Sequence, residues 1–408
     1  MMKRHYLLGA LAATSLLLVA CSTGASVSNS SSSSSTSSSP PSSSMAVGST
    51  DSASSGSSSL TSSSSAARGS SVIDLNITQT VGPNGEQPTP TDSLTLTAAE
   101  VAKVKAGGFK AAMLWHQSSA FVTAVQNGAQ AEFQRLGISV VASASANMNA
   151  GTQANQVQTT MAKKPNVILS LPVDPVSAAQ AFQPAVAAGT KLVFLSNVPK
   201  GFTYGKDYTS IVTDDLYAMG KNAAEALGKA LTGTGTVGVL YFNASYYVTN
   251  QRDAAFVDTL KKEFPNIQIV AEQGFSDASA SQQIASGMLT QHPKLDGIYV
   301  SYAQPAAEGV LAALRTVGNT HAKVVTLDID DPVMIDMASG GSTIAVVADK
   351  AWNLGKGMAD AAAYALIGKT APPFAVAGVL TITKGNIAQG YQESLHQELP
   401  ADLKKILG

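Results

Sequence analysis

The chain has one cysteine, Cys21, so no disulfide can close within it. It is also poor in charge: 26 basic and 27 acidic residues leave a formal net of −1, and no run of lysine and arginine stands out, which excludes a nucleic-acid surface. Five histidines, His5, His116, His292, His321 and His396, show no metal-ligand spacing, and Asp328-Ile329-Asp330-Asp331 lacks the Asp-x-Asp-x-Asp-Gly of a calcium loop. Gly-x-Ser-x-Gly does not occur and no nucleophile is paired with a base by spacing, so neither catalysis nor a cofactor finds support. Gly233 to Gly238 does match Gly-x-Gly-x-x-Gly, but a helical pattern precedes it and a strand follows, the reverse of a dinucleotide site; it reads as a turn into a strand. After the first twenty residues no apolar run is long enough to span a bilayer.

What is present begins with Lys3 and Arg4 ahead of an apolar run from Leu7 to Ala20, too short to cross a membrane and suited to a signal-peptide core over residues 1–20. Leu18-Val19-Ala20-Cys21 resembles the bacterial lipoprotein signal, in which the cysteine is lipidated and becomes the mature N-terminus; an ordinary secretory peptide with an incidental cysteine is the alternative. Residues 21–71 are dominated by serine and offer almost no apolar surface to offset the entropy of ordering, so a disordered tether is expected, with a reach of about 40 Å. Residues 72–107 read as an irregular lead-in ending in a short helix, which Thr97-Ala98-Ala99-Glu100 opens with capping-box spacing and Gly107-Gly108 closes.

From Phe109 the pattern is regular. Phe109 to Trp115 is an apolar strand, His116 to Ser119 a polar loop, and Phe121, Val122, Val125, Ala129 and Phe133 recur at helical spacing up to Gly137. Strand patterns follow at Ile138–Ala142, Val167–Leu171, Lys191–Leu195, Thr209–Val212, Val237–Phe242, Ile267–Ala271, Gly297–Tyr302, Val324–Leu327 and Thr343–Val347, with helical patterns between most of them. Near-continuous apolar strands alternating with amphipathic helices indicate parallel sheets covered on both faces. Roughly 300 residues of this alternation exceed one compact domain, so an α/β fold of two doubly wound parallel-sheet lobes is expected.

In such sheets ligands bind beyond the carboxyl ends of the strands. The polar and aromatic residues there are Trp115, His116, Ser119 and Phe121, then Ser196-Asn197, Tyr246-Tyr247, Arg252, Tyr302, Asp328 and Asp349. Forked side chains that each meet two hydroxyls, together with aromatic faces over C–H groups, suit a neutral polyhydroxylated ligand. Taken singly, a Trp or Tyr in an apolar run is more often core, and Arg252 could be a surface helix charge.

From about Phe109 to Thr383 the chain resembles the type I, ribose-binding-protein-like periplasmic substrate-binding proteins of bacterial ABC sugar importers. The resemblance rests on Asn127-Gly128-Ala129, Pro172-Val173-Asp174-Pro175, Thr213-Asp214-Asp215 before Gly220, Gln251-Arg252 before Phe256, His292-Pro293, Val324 to Asp328, and Asp349 before Gly355. It implies a three-crossover hinge near Thr213, Asp349 and Leu380, with an N-terminal lobe of 108–213 plus 350–379 and a C-terminal lobe of 214–349 plus 380–408. It implies ligand-binding roles for Arg252 and Asp328, a stacking role for Phe121 and a hinge contact for Asp349, with Trp115, His116, Ser119, Asn197, Tyr247 and Tyr302 completing the site. Ser119-Ala120-Phe121-Val122 and Ser196-Asn197 depart from the family's first-loop and fourth-strand motifs, which points to a sugar or sugar alcohol other than ribose. The implied setting is the outer face of the cytoplasmic membrane, held by the lipid anchor alone, as a monomer delivering to ABC permease transmembrane subunits. A receptor presenting its sugar to a membrane sensor or chemoreceptor is the alternative, and a sugar-modifying enzyme a remote one.

Overall fold

Apolar strands buried on both faces build the molecule. The structure, a computed structural model, describes residues 77–408. The signal peptide, the Cys21 anchor, the serine tether and the first residues of the lead-in, residues 1–76, lie outside the described residues.

A two-residue strand β1 (Thr89–Pro90) and helix α1 (Ala98–Ala106) lead in. The expected capping box is present: Thr97 accepts from the Glu100 backbone N–H and Glu100 accepts from that of Thr97. The first lobe then runs β2 (Lys110–Trp115), α2 (Ala120–Arg135), β3 (Ser139–Ser145), α3 (Ala150–Met161), β4 (Val167–Ser170), α4 (Pro175–Ala187), β5 (Lys191–Leu195) and β6 (Ser210–Asp214). The second runs α5 (Leu216–Ala230), β7 (Gly235–Phe242), α6 (Tyr247–Glu263), β8 (Ile267–Phe275), α7 (Ser281–Gln291), β9 (Gly297–Val300), α8 (Glu308–Thr316), β10 (Lys323–Leu327), α9 (Asp331–Ala338) and β11 (Thr343–Asp349). Helix α10 (Ala351–Leu366) returns to the first lobe, β12 (Phe374–Ala377) completes its sheet, and β13 (Val379–Ile382) crosses to the second.

The two sheets are built alike. Their orders, β1-β12-β6-β5-β4-β2-β3 and β13-β11-β10-β9-β7-β8, superimpose strand for strand once β1 is set aside, and every pairing is parallel except β11 with β13. The chain passes between them after β6, after β11 and between β12 and β13.

Period-two alternation divides each strand between two cores. In β2, Ala111, Met113 and Trp115 face α2 and α10, whereas Ala112 and Leu114 face the aromatic cluster of Phe182, Phe194 and Phe202. Asp174 caps α4 by accepting from the Ser177 backbone N–H at 2.6 Å, with Pro175 in the first turn. The glycine-rich segment before β7 is the turn expected of it, with Gly233 at φ 79° and Gly235 at φ 136°.

The lead-in departs from expectation. β1 pairs in parallel with β12 as the edge of the first sheet, where the proline's missing donor costs nothing. Ahead of it the chain lies against both lobes: Thr80 donates to Asp215 and accepts from Tyr217 N, Tyr247 donates to the Val81 carbonyl, and Tyr208 donates to Glu86.

Candidate functional site

A cavity of about 440 Å³ opens where the carboxyl ends of the two sheets face each other. From the first lobe, the loop after β2 contributes His116, Gln117 and Ser119, the first turn of α2 contributes Phe121, the loop after β3 contributes Met148, and Leu171 and Ser196 follow β4 and β5. From the second, the β7–α6 segment contributes Phe242, Tyr246, Val248, Thr249 and Arg252, and the segments after β8, β9 and β10 contribute Asp277, Tyr302, Gln304, Asp328 and Ile329. Asp214 and Asp349, the last residues of β6 and β11, stand at two of the crossovers and line the cavity there.

The pseudo-symmetry extends to backbone detail. Ser196 and Asp328, the residues that follow the equivalent strands β5 and β10, each the fourth from the β3 or β8 edge of its sheet, adopt the left-handed region at φ 55° and 69°. Each donates its N–H to the next strand, Ser196 to Val212 at 2.9 Å and Asp328 to Val347 at 3.0 Å. Strain of this kind persists where surrounding structure over-determines it, and it is concentrated at ligand sites.

Arg252 is the electrostatic centre. It is 5 % exposed, donates through one terminal nitrogen to Asp328 at 2.9 Å and through the other to the Ser301 carbonyl at 3.3 Å. Burial works against its charge, but Asp328 and Asp214 beside it raise its pKa further. Asp253, the next residue on α6, is fully buried and accepts from Tyr299 at 2.7 Å, Ser301 at 2.9 Å and the Phe242 N–H at 3.3 Å, tying β7 and β9 to the helix that carries the arginine. Burial pushes Asp214 up to about 6, with Asp328 adding to the rise and Arg252 opposing it. Asp349 is raised well above the ordinary carboxylate range by burial and then by Asp328 and Asp214. Burial lowers His116 to about 3, so its imidazole is neutral.

Seven of the expected residues line the cavity: His116, Ser119, Phe121, Arg252, Tyr302, Asp328 and Asp349. Ser119 also caps α2 by accepting from the Val122 N–H. Three do not line it. Trp115 is 1 % exposed and shares the parity of Ala111 and Met113, which turns it into the core, where its indole donates to Gln126 at 3.1 Å. Tyr247 faces the lead-in, and its neighbour Tyr246 lines the cavity instead, packed edge-on against Phe242. Asn197 is buried beside the cavity, and its side-chain oxygen accepts from the Val248 N–H at 3.2 Å, linking the lobes directly. Asp214 was legible only as part of a motif, and Gln304 and Asp277 carried no signal beyond following a strand.

Among the described residues no three His, Cys, Asp or Glu side chains are arranged to hold a metal ion, and no helix is long and apolar enough to cross a membrane.

Similar architectures are known. The chain is 23% identical to a solute-binding protein of an ABC transporter from Agrobacterium vitis solved with alpha-D-tagatopyranose, at a TM-score of 0.63, with 68% of this chain and 96% of that one covered. It is 26% identical to an ABC transporter solute-binding protein from Mycobacterium smegmatis solved with glycerol, at 0.61, with 68% and 95% covered. With a sugar-binding protein of a sugar ABC transporter from Bacillus halodurans the values are 25% and 0.62, with 69% and 100% covered. No curated protein matches the chain. The family model described as a periplasmic binding protein domain matches residues 111–370, and with the majority of its length so matched the chain belongs to the periplasmic binding proteins.

Proposed function

We propose that this protein captures a monosaccharide or sugar alcohol in the cleft between its lobes and delivers it to the permease of an ABC transporter, from the outer face of the cytoplasmic membrane. The observation that carries the reading is the cavity itself: both sheets aim their carboxyl ends at it, and Arg252 paired with Asp328 faces Ser119, Phe121 and His116 across it. Charged forks can each meet two hydroxyls, and Phe121, Tyr246 and Tyr302 offer rings to the C–H face of a sugar ring. The solved relatives named with tagatopyranose and glycerol support the same ligand class. Retention at the membrane rests on acylation of Cys21, the protein acting as a monomer.

Binding and release without chemistry fit a site with no nucleophile and base set against each other. Closure follows if the ligand touches both walls, because only then does it favour the closed form. A thermal-shift screen of the full chain against pentoses, hexoses, their amino forms and sugar alcohols tests the proposal. A true ligand at about 100 times its Kd stabilises by about 2.7 kcal/mol, and solution scattering should record compaction on its addition. A panel in which nothing raises the melting temperature or compacts the protein would refute the carbohydrate reading.

A further inference from the structure

Charge in the cleft does not balance. Of the titratable side chains that line it, Arg252 is the one cation and His116 is neutral, while Asp214, Asp328 and Asp349 bring three carboxylates and Asp277 a fourth at the exposed rim. Arg252 is engaged by Asp328 and the Ser301 carbonyl. Asp214 and Asp349 are each 2 % exposed, and Asp214 Oδ2 has no hydrogen-bond partner. Asp214 Oδ1 accepts from Thr213 at 3.2 Å, which leaves Oδ2 as the open acceptor, and Asp349 stands beside Asp328 and Asp214. A buried carboxylate oxygen without a donor is costly, and more so close to other carboxyls.

Asp214 and Asp349 are pseudo-symmetric. They end β6 and β11, the equivalent strands of the two sheets, and so face the ligand from the two crossovers at the hinge end of the cleft. Aromatic rings form part of the second-lobe wall, with Phe242 holding Tyr246 and Tyr302 edge-on at 5.8 and 6.0 Å. Aromatic faces also attract cations. The carboxylates are not arranged for a metal ion, which leaves an organic cation.

We propose that the natural ligand carries a protonated amine, seated between Asp214 and Asp349, so that the protein takes a sugar or polyol bearing an ammonium group. This rests on the carbohydrate reading and narrows it. Arg252 and Asp328 would hold ligand hydroxyls, and the ammonium would supply the donor that Asp214 Oδ2 lacks and the positive charge that the pair of buried aspartates faces nowhere else but at Arg252. Burial raises the pKa of both aspartates, and the neighbouring carboxyls, Asp328 for Asp214 and Asp328 with Asp214 for Asp349, add to the rise.

Calorimetry of the full chain near neutral pH with matched probes is the test: glucose against glucosamine, galactose against galactosamine, and sorbitol against glucamine. N-acetylglucosamine serves as the control that keeps the substituent and removes its charge. In at least one pair the amine should bind about tenfold tighter or more, the acetylated form should lose that advantage, and Asp349→Asn or Asp214→Asn should each erase most of it. The wild-type comparison stands alone should either variant fail to fold. Neutral members binding as tightly as the amines, or more tightly, in every pair would overturn the ammonium and leave the carbohydrate reading standing. Binding by none of the probes at about 10 mM, together with no response to the pentoses and sugar alcohols of the thermal-shift panel, would overturn both.

Discussion

Arg252 reaches the Asp328 carboxylate and the Ser301 carbonyl at once through two nitrogens of one planar group. A lysine has neither the fork nor the fixed geometry for both. A hydrogen bond to a charged group contributes about 1.5 to 3 kcal/mol net. Arg252→Ala or Asp328→Ala should therefore weaken binding of whichever probe the wild type takes by about tenfold to a hundredfold, and Arg252→Lys should recover only part of the loss. Titration calorimetry reads this directly, and wild-type affinity in both alanine variants would remove the pair from the site. Arg252, Asp328 and Phe121 were legible in the sequence because each follows an apolar strand and matches a position to which the family resemblance gives a role in the site. Tyr246 and Tyr247 were not separable in that way. They are adjacent where an extended residue meets the first turn of α6, and which ring enters the cleft depends on a backbone direction that composition does not record. Trp115 failed for a different reason: it closes an apolar run, and the parity of that run, not its last position, decides which way the indole turns.

Between elements, glycine sets how closely the helices beside the cleft approach. A Cβ on Gly355 of α10 would come within 1.8 Å of the Val125 carbonyl of α2, and one on Gly128 of α2 within 2.0 Å of the Trp352 carbonyl. Backbone cannot yield as a flexible side chain does, so Gly355→Ala should destabilise by about 1 to 3 kcal/mol, the range for overpacking, measured as a lowered urea midpoint. An unchanged midpoint would show that the two helices separate freely. Gly220 of α5 plays the same part against α6, its Cβ position lying 2.1 Å from the Arg252 carbonyl, so that contact also sets where the arginine stands. The lead-in is a second element-scale device, because it engages Tyr208 in the first lobe, Asp215 at a crossover and Tyr247 in the second. Removing residues 77–87 should lower the melting temperature of the remaining protein, since it strips partners from three buried or half-buried polar groups; equal melting temperatures would mean that the segment merely rests there. No periodicity announced either role. The lead-in and the pair β12 and β13 are short and lack the flanking helices by which the longer strands were recognised, whereas α2 to α10 and β2 to β11 carry strong period-3.6 or apolar-run signals and were found within a few residues.

At the scale of the whole molecule, two lobes of repeated topology meet over a cleft whose carboxyls sit in low-dielectric surroundings, and the consequence is a particular pH dependence of stability. Burial is the first cause of the raised pKa in Asp214 and Asp253, up to about 6, in Asp330 and Asp360, up to about 7, and in Asp349, higher than the ordinary range. Glu308 adds to the shift of Asp330 and Glu132 to that of Asp360. An unfolded aspartate titrates near about 3.9. Between those values the folded chain binds more protons than the unfolded one, so the stability these groups contribute is complete below about pH 4 and is lost as pH rises through 6 and 7. Buried His116, lowered to about 3, has the opposite sign: its unfolded form gains a proton below about 6.5, so folding loses stability there. Carboxylates lowered in the fold, such as Glu86, Glu225 and Asp296, also lose their contribution as pH falls, but only through and below the ordinary carboxylate range. The melting temperature of the unliganded protein should therefore climb as pH drops from about 8 to about 6.5, where the raised aspartates outweigh the lowered imidazoles of His116 and His396. It should climb less steeply toward about 5, where His116 opposes them, and fall below about 4. Asp360→Asn removes the one raised carboxyl that lies between α2 and α10 and away from the cleft, so it should flatten part of the rise between about pH 8 and 6 while leaving ligand affinity alone. Melting curves across that range decide the matter, and a melting temperature that is constant or declines from about pH 8 to 6.5 would contradict the burial of charge on which this account of the cleft depends.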